Sequence, residues 1–302
     1  MNLIACDVSQ AVLTTYDGSK VFDVENSTTA IEELLKAHKD CTVVCEPTGR
    51  FHLLLVEAAI RGGHKIYLVN PREARNYKDS VSFRAKTDPL DARYLYEFVR
   101  RNEDLLRPYC APAPELVELR SLLGKRQAAV ETRTALSQSF GKVLSAKEKA
   151  VIDSLNELIK DLEDKMEEIA KKFDSYSIVR SIPGVGLISG CALTYVLELK
   201  PFDSSAALVA FLGLDVRIRQ SGKYRGQEKL SKRGDPILRF LLCFAGRGLL
   251  NSLIAKGKRE ALTAKGRTFP ERLAIAARKI LRTAFALHKK NTTFDPKQWI
   301  WA

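Results

Sequence analysis

The chain has 302 residues, 45% of them hydrophobic and 28% charged, which is the composition of a globular protein long enough for two cores. No apolar run approaches ~18 residues, and no basic segment precedes the apolar stretch at the N-terminus, so neither a membrane span nor a secretory leader is expected and the cytosol is the expected compartment. The formal net charge of +13 sits in the last third: residues 200–302 hold 22 Lys and Arg against 7 Asp and Glu, whereas residues 1–199 hold 27 against 29. A solubilising surface would mix the two signs. An excess this localised is the footprint of a nucleic-acid-binding face, because neutralised phosphates release their condensed counterions. The six cysteines form no CxxC pair, so they are expected as small buried apolar residues and not as a zinc site.

Along the first hundred residues, strand and helix signals alternate. Residues 2–6, 11–16 and 20–25 are predicted as strands, with a hairpin signal at Asp17-Gly18. A helix follows from Ser27, whose side chain can cap it, to His38. A strand at 41–45, a helix at 52–62, a strand at 65–69 and helices near 72–79 and 91–101 complete the set. The order β-β-β-α-β-α-β-α is that of an α/β ribonuclease-H-like domain. Two of its strands are apolar runs closed by an acid, Asp7 in Leu3-Ile4-Ala5-Cys6-Asp7 and Glu46 in Val43-Val44-Cys45-Glu46, so both carboxylates are expected side by side at strand ends of one sheet. Asp88 and Asp91 are three apart at the start of a helical stretch, a spacing that places both on one face. Four carboxylates in this arrangement outline a metal site, and all-oxygen ligands suit Mg²⁺ or Mn²⁺ acting on a phosphate.

Pro108, Pro112 and Pro114 mark a boundary. Glu115 to Phe173 is almost free of helix breakers, and Leu155, Leu158/Ile159, Leu162, Met166, Ile169 and Phe173 recur at spacings of three and four. This pattern predicts a long antiparallel or intermolecular coiled pair over a linker at 109–176, with a plain hairpin packed on its own domain as the bland alternative. Residues 181–197 resemble a helix-hairpin-helix turn in which Gly184 and Gly186 would let backbone N–H groups approach a phosphate; a turn that touches nothing is the competing view. Apolar helices are expected over 203–213 and 236–256, and an amphipathic one with basic residues over 270–288. Between the first two lies a Gly- and Ser-rich loop, Arg217 to Asp235, with seven Lys and Arg. Arg219, Lys223, Arg225, Lys232 and Arg233 are candidate nucleic-acid contacts. Ser221, beside Gly222 and flanked by cations, is either a hydrogen-bond donor to phosphate or a nucleophile on phosphorus.

The motifs, in order, resemble those of the DEDD transposases of bacterial insertion sequences, a family that includes pilin-gene invertases and bridge-RNA-guided recombinases. The N-terminal part is similar through Asp7-Val8-Ser9, Cys45-Glu46-Pro47-Thr48-Gly49, Val69-Asn70-Pro71 and Lys86-Thr87-Asp88-Pro89-Leu90-Asp91-Ala92-Arg93. The C-terminal part is similar through Ile182-Pro183-Gly184-Val185-Gly186, Phe211-Leu212-Gly213-Leu214, Ser221-Gly222 and Leu230-Ser231-Lys232-Arg233-Gly234. The resemblance implies a RuvC-like catalytic domain over 1–108, the helical linker over 109–176 and a mainly α transposase domain over 177–302. It further implies that Asp7, Glu46, Asp88 and Asp91 bind metal and that Ser221 is the nucleophile. Ser231, in the later Ser-Lys-Arg-Gly segment, is read as structural or phosphate-contacting. The implied partners are donor and target DNA, a structured noncoding guide RNA, and further copies of the chain in a dimer or tetramer.

Other functions compete with this one. A Holliday-junction nuclease would use the same acids with water as nucleophile and form no covalent adduct. A site-specific invertase would act without guide RNA. An actin-like phosphotransferase would need a glycine-rich loop after the first strand, where Val8-Ser9-Gln10 stands, and a non-catalytic nucleic-acid-binding protein would leave the four acids without metal.

Overall fold

The computed structural model describes residues 2–81, 88–141, 143–217, 220–221, 224–225, 229–299 and 301. Among them the chain divides into two compact units, Met1–Ala111 and Pro112–Ala302.

In the first unit, strands β1 (Leu3–Val8), β2 (Val12–Tyr16), β3 (Val21–Glu25), β4 (Thr42–Cys45) and β5 (Lys65–Leu68) form one mixed sheet in the order β3-β2-β1-β4-β5. The first three are antiparallel neighbours, and β4 and β5 run parallel to β1. Alternation along the strands divides the core in two. Ile4, Cys6, Val43 and Cys45 face α1 (Thr28–Ala37) and α2 (Leu53–Arg61) through Ile31, Leu35, Leu55 and Val56. Leu3, Ala5 and Val44 face the other way, toward Ala74 of α3 (Pro71–Val81) and Leu95 and Val99 of α4 (Asp88–Asn102). Burial raises the Cys6 thiol to about 12, so it behaves as an inert apolar group. Cys41, Cys45 and Cys191 are likewise buried, but Cys110 is exposed.

Two local expectations are corrected here. β1 runs on to Val8, so Asp7 lies within the ladder, opposite Thr14, and not beyond its end. Ser27 makes no side-chain cap to α1; its hydroxyl donates back to Glu25 Oε2 at 3.4 Å.

The second unit is mostly helical. α5 (Pro114–Phe140) and α6 (Ala146–Ala170) form an antiparallel hairpin, whose register is set by Arg126 Nη2 to Glu163 Oε1 at 2.7 Å and by Arg133 Nη1 donating to Asn156 Oδ1 at 2.8 Å. Ser145 starts α6 through a reciprocal cap with Glu148. Leu162, Met166 and Ile169 turn inward and join Leu119, Leu122 and Leu123 in a core shared with α8 (Leu187–Leu199), α10 (Pro236–Asn251) and α12 (Phe269–Lys290). Val151 and Leu158 are left outward, 46% and 47% exposed. The remaining helices are α7 (Asp174–Arg180), α9 (Ser205–Phe211) and α11 (Lys256–Ala264).

The helices expected over 203–213 and 236–256 are shorter. Ser204 Oγ accepts from Ala207 N to start α9, and the chain turns at Gly213; α10 stops at Ser252, whose Oγ donates to the carbonyl of Leu249. No single helix among the described residues is long and apolar enough to cross a membrane.

One side chain locks two distant parts of this unit. Asp235 caps α10 by accepting from Ile237 N at 2.8 Å and Leu238 N at 3.2 Å through Oδ1, while Oδ2 accepts from Arg120 Nε of α5 at 2.9 Å. Asp235→Ala removes the cap and leaves a half-buried guanidinium without its partner, and is expected to cost about 2–3 kcal/mol. Denaturant melts test this; Asp235→Asn, which can still cap, should lose less.

Candidate active site

The parallel register Cys6↔Cys45 puts Asp7, the next residue of β1, level with Glu46, the first residue past the end of β4. Alternation turns both toward the face covered by α3 and α4, since Leu3, Ala5 and Val44 point there. The apolar run before each acid is therefore what aims it. Glu46 opens a tight segment held from within: Thr48 Oγ1 donates to the Glu46 carbonyl at 3.3 Å, and Thr48 N donates to Nδ1 of the buried His52 at 3.2 Å.

Asp91, in the first turn of α4, is 8% exposed and lies on the same face of the sheet. Its Oδ2 is 2.8 Å from the Nζ of Lys78 on α3. The Glu46 carboxyl is pushed up from its ordinary range, first by burial; Lys78 opposes this, Asp7 and Asp91 add to it, and Arg75 opposes it more weakly. Asp7 and Asp91 thus both lie within electrostatic reach of Glu46. Asp88 is the first residue of α4, and its side chain lies outside the described residues. Among the described residues no group of three acid, histidine or cysteine side chains is drawn close enough to form a finished metal cage. The donor set still fits a hard divalent cation: all candidate ligands are carboxylates, they come from three elements, and a cationic ammonium already stands against them. Sequence spacing missed Lys78 and Arg75, and also His52, which braces the Thr48 turn from the start of α2. Only the sheet and α3 bring the two cations to the acids, and a lysine on a polar helix carries no local signal.

In the second unit, where the sequence suggested an open loop, the described residues around Ser221 form two short ladders. β6 (Val216–Arg217) pairs with β9 (Lys229–Leu230), and beyond that ladder β7 (Gln220–Ser221) pairs with β8 (Tyr224–Arg225), Ser221 opposite Tyr224. Arg219 and Lys223 lie outside the described residues, as do the side chains of Ser221 and Arg225. The base of the hairpin is a clamp built from two motifs. Gly213, at φ +65, lies so close that a Cβ there would stand 2.5 Å from Arg233 N. Lys232 N donates to the Gly213 carbonyl at 3.0 Å, and Ser231 Oγ donates to Asp215 Oδ1. Ser231 is thereby engaged in holding the clamp, while Lys232 and Arg233 are exposed.

The turn at 181–186 joins α7 to α8. Gly184, at φ +87, packs on α10 so closely that a Cβ would lie 2.2 Å from Leu249 N, whereas a Cβ on Gly186 would meet nothing within 4 Å. The first glycine is needed for packing, so Gly184→Ala should cost about 2–4 kcal/mol by melting, combining left-handed strain with overpacking, and Gly186→Ala should be nearly neutral. Gly186 also borders a groove of about 1220 Å³ with Phe240 and Phe244 of α10 and Arg133 and Arg247 on its walls. Those two rings are 53% and 61% exposed.

The comparisons with known proteins agree with the order of these motifs. A DEDD transposase model of the IS110 type matches residues 4–147, and a model described as transposase of the IS116/IS110/IS902 family matches residues 176–257. The transposase for insertion sequence element IS1111A of Coxiella burnetii is 27% identical, over 78% of this chain and 70% of its own length. The pilin gene-inverting proteins of Moraxella lacunata and Moraxella bovis are each 25% identical, over 84% of this chain and 82% of theirs. The chain belongs to the IS110-type DEDD transposases, a family of DNA recombinases and transposases.

Proposed function

We propose that the chain is a metal-dependent, serine-nucleophile recombinase that cuts and rejoins strands of an insertion element and its target. The observation that carries this is that Asp7, Glu46 and Asp91 lie toward one face of the sheet, in a chain whose second unit carries Ser221 on β7, opposite Tyr224, above a clamped base. The strand order, three antiparallel strands and then two parallel to the first, supports a ribonuclease-H-like, RuvC-like domain over 1–108. The α5–α6 hairpin serves as a helical arm within 109–176, and 177–302 is the basic transposase domain.

Asp7, Glu46, Asp88 and Asp91 would hold Mg²⁺ or Mn²⁺. Bound there, the metal would polarise the scissile phosphate and steady the leaving oxygen. Ser221 Oγ loses its proton to solvent and bonds to phosphorus as the bond from phosphorus to the leaving sugar oxygen breaks, and that oxygen takes a proton from solvent to leave as a hydroxyl. The resulting phosphoserine–DNA link keeps the bond energy for rejoining. Arg219, Lys223, Arg225, Lys232 and Arg233 draw the backbone to the serine and offset the charge that develops on phosphorus. Gly186, where a Cβ would meet nothing within 4 Å, leaves the start of α8 open to a phosphate, which would have to compete with Ser189 Oγ for its N–H; Gly184 is committed to packing.

The family's RNA-guided members make a structured noncoding RNA the expected guide, with base pairing reading sequence and the protein reading backbone and shape. Because more than one strand must be cut, the working form is a dimer or tetramer, with Val151 and Leu158 the outward apolar positions of the arm. The site of action is the bacterial cytosol. A reporter plasmid carrying element and target tests the reading: recombinant junctions should form with Mg²⁺ and vanish with a chelator, and sequencing the copurifying nucleic acid should return one structured RNA. The absence of junctions from any candidate target, with DNA binding intact, would favour the non-catalytic alternative.

A further inference from the structure

We infer that the Lys78 ammonium holds the place of the cation in the acidic site, so that it must withdraw for a divalent metal to bind and thereby sets the metal affinity of the nucleic-acid-free protein. This rests on the metal-site reading above.

Lys78 Nζ lies 2.8 Å from Asp91 Oδ2, with side-chain exposures of 23% and 11%. A carboxylate that far from water needs a resident counter-ion, and among the described residues Lys78 fills that place. It also counters the rise that burial imposes on the Glu46 carboxyl, so its charge is felt at two of the candidate acids. A metal coordinated by Asp91 Oδ2 and an ammonium at that same oxygen would repel each other strongly, so entry of one at Oδ2 requires departure of the other.

The bland alternative is a helix-to-helix tie that fixes α3 on α4. That task already has a holder in Tyr77 and Phe98, whose rings meet edge-on with centroids 5.6 Å apart, and in Ala74 beneath them. The Asn70-Pro71 motif starts α3 independently, with Asn70 Oδ1 accepting from Arg72 N at 2.9 Å. The two views also differ in sign. A tie that orients Asp91 would help metal bind, and a placeholder hinders it.

The test is Mn²⁺ binding to the full chain without DNA, by calorimetry and by the electron paramagnetic resonance signal of free Mn²⁺. Wild type, Lys78→Met, Arg75→Gln and Asp7→Asn are compared at one pH and ionic strength. Lys78→Met keeps the aliphatic stem and should bind Mn²⁺ about tenfold more tightly or better, a change of roughly 1.4 kcal/mol or more. Arg75→Gln should change the affinity by much less, and Asp7→Asn should abolish binding. Unchanged or weaker binding by Lys78→Met, or equal tightening by Arg75→Gln, overturns the placeholder and leaves the metal site standing. No Mn²⁺ bound by wild type, or full binding by Asp7→Asn, overturns the metal site and the placeholder with it. If Lys78→Met does not fold by thermal melt, Lys78→Gln carries the same expectation.

Discussion

Asp7→Asn and Glu46→Gln are each expected to lower strand cleavage by at least roughly 10³-fold while leaving DNA binding within about threefold of wild type. Asp7 lies on β1 and Glu46 directly follows the adjacent parallel β4, and the ladder bonds between them are main-chain, so neither change disturbs the scaffold that aims the other acid. Glu46→Gln should also stabilise the metal-free protein. Burial, with Asp7 and Asp91 nearby, raises the folded-state pKa of Glu46. A carboxyl raised in this way contributes stability at low pH and loses it as pH rises through the folded value, so at neutral pH the ionised group is a cost that glutamine removes. Thermal melts in chelator should show Glu46→Gln about 1–4 °C above wild type, an advantage that shrinks as the pH is lowered and the wild-type carboxyl takes its proton. A drop in melting temperature at neutral pH, or retained cleavage, would argue against this site. Activity lost and stability gained by the same change is the mark of a functional carboxylate held in an unfavourable place.

Ser221→Ala is expected to abolish cleavage, a loss of at least about 10³-fold, with assembly and nucleic-acid binding intact. Its control is Ser231→Ala. Ser231 donates to Asp215 and so supports the clamp that Gly213 and the Ser231–Gly234 segment form at the base of the hairpin. Removing that hydroxyl should cost about 1 kcal/mol of stability and reduce cleavage only in proportion to any loosening of the hairpin. Chevron or denaturant data alongside cleavage rates separate the two serines. Equal loss from both, with no stability change in Ser231→Ala, would mean that the roles assigned to them are wrong.

Much of the first unit was legible because its strands are apolar runs closed by turn signals, and the acids stand at fixed places in those runs. Leu3 to Cys6 and Thr42 to Cys45 are buried on both sides of the sheet, so their pattern reads clearly and the neighbouring positions of Asp7 and Glu46 follow. What the runs could not convey is the far wall of the site. Lys78 lies on a helix with one buried residue, Ala74, and reaches Asp91 only because α3 and α4 stack on the same sheet face. Ser27 misled for a related reason: a serine before a helix can cap it, yet its hydroxyl found Glu25 first. In the second unit, spacing alone could not decide between a partner and a return helix for Leu162, Met166 and Ile169. Arg126–Glu163 and Arg133–Asn156 settle the register, and the return helix takes them. The short ladders around Ser221 are two residues each, below what alternation can signal, so basic and glycine-rich composition was all the sequence offered there.

The central claim, that a serine on the basic hairpin joins DNA at a metal site, is tested most directly by trapping wild-type protein on a donor duplex with an interrupted strand and mapping the adduct by mass spectrometry. The account predicts a phosphodiester link on the peptide containing Ser221, formed with Mg²⁺ and absent in Asp7→Asn. A link at Ser231, or complete cleavage with no covalent protein–DNA species, would contradict it and leave a water-driven nuclease in its place.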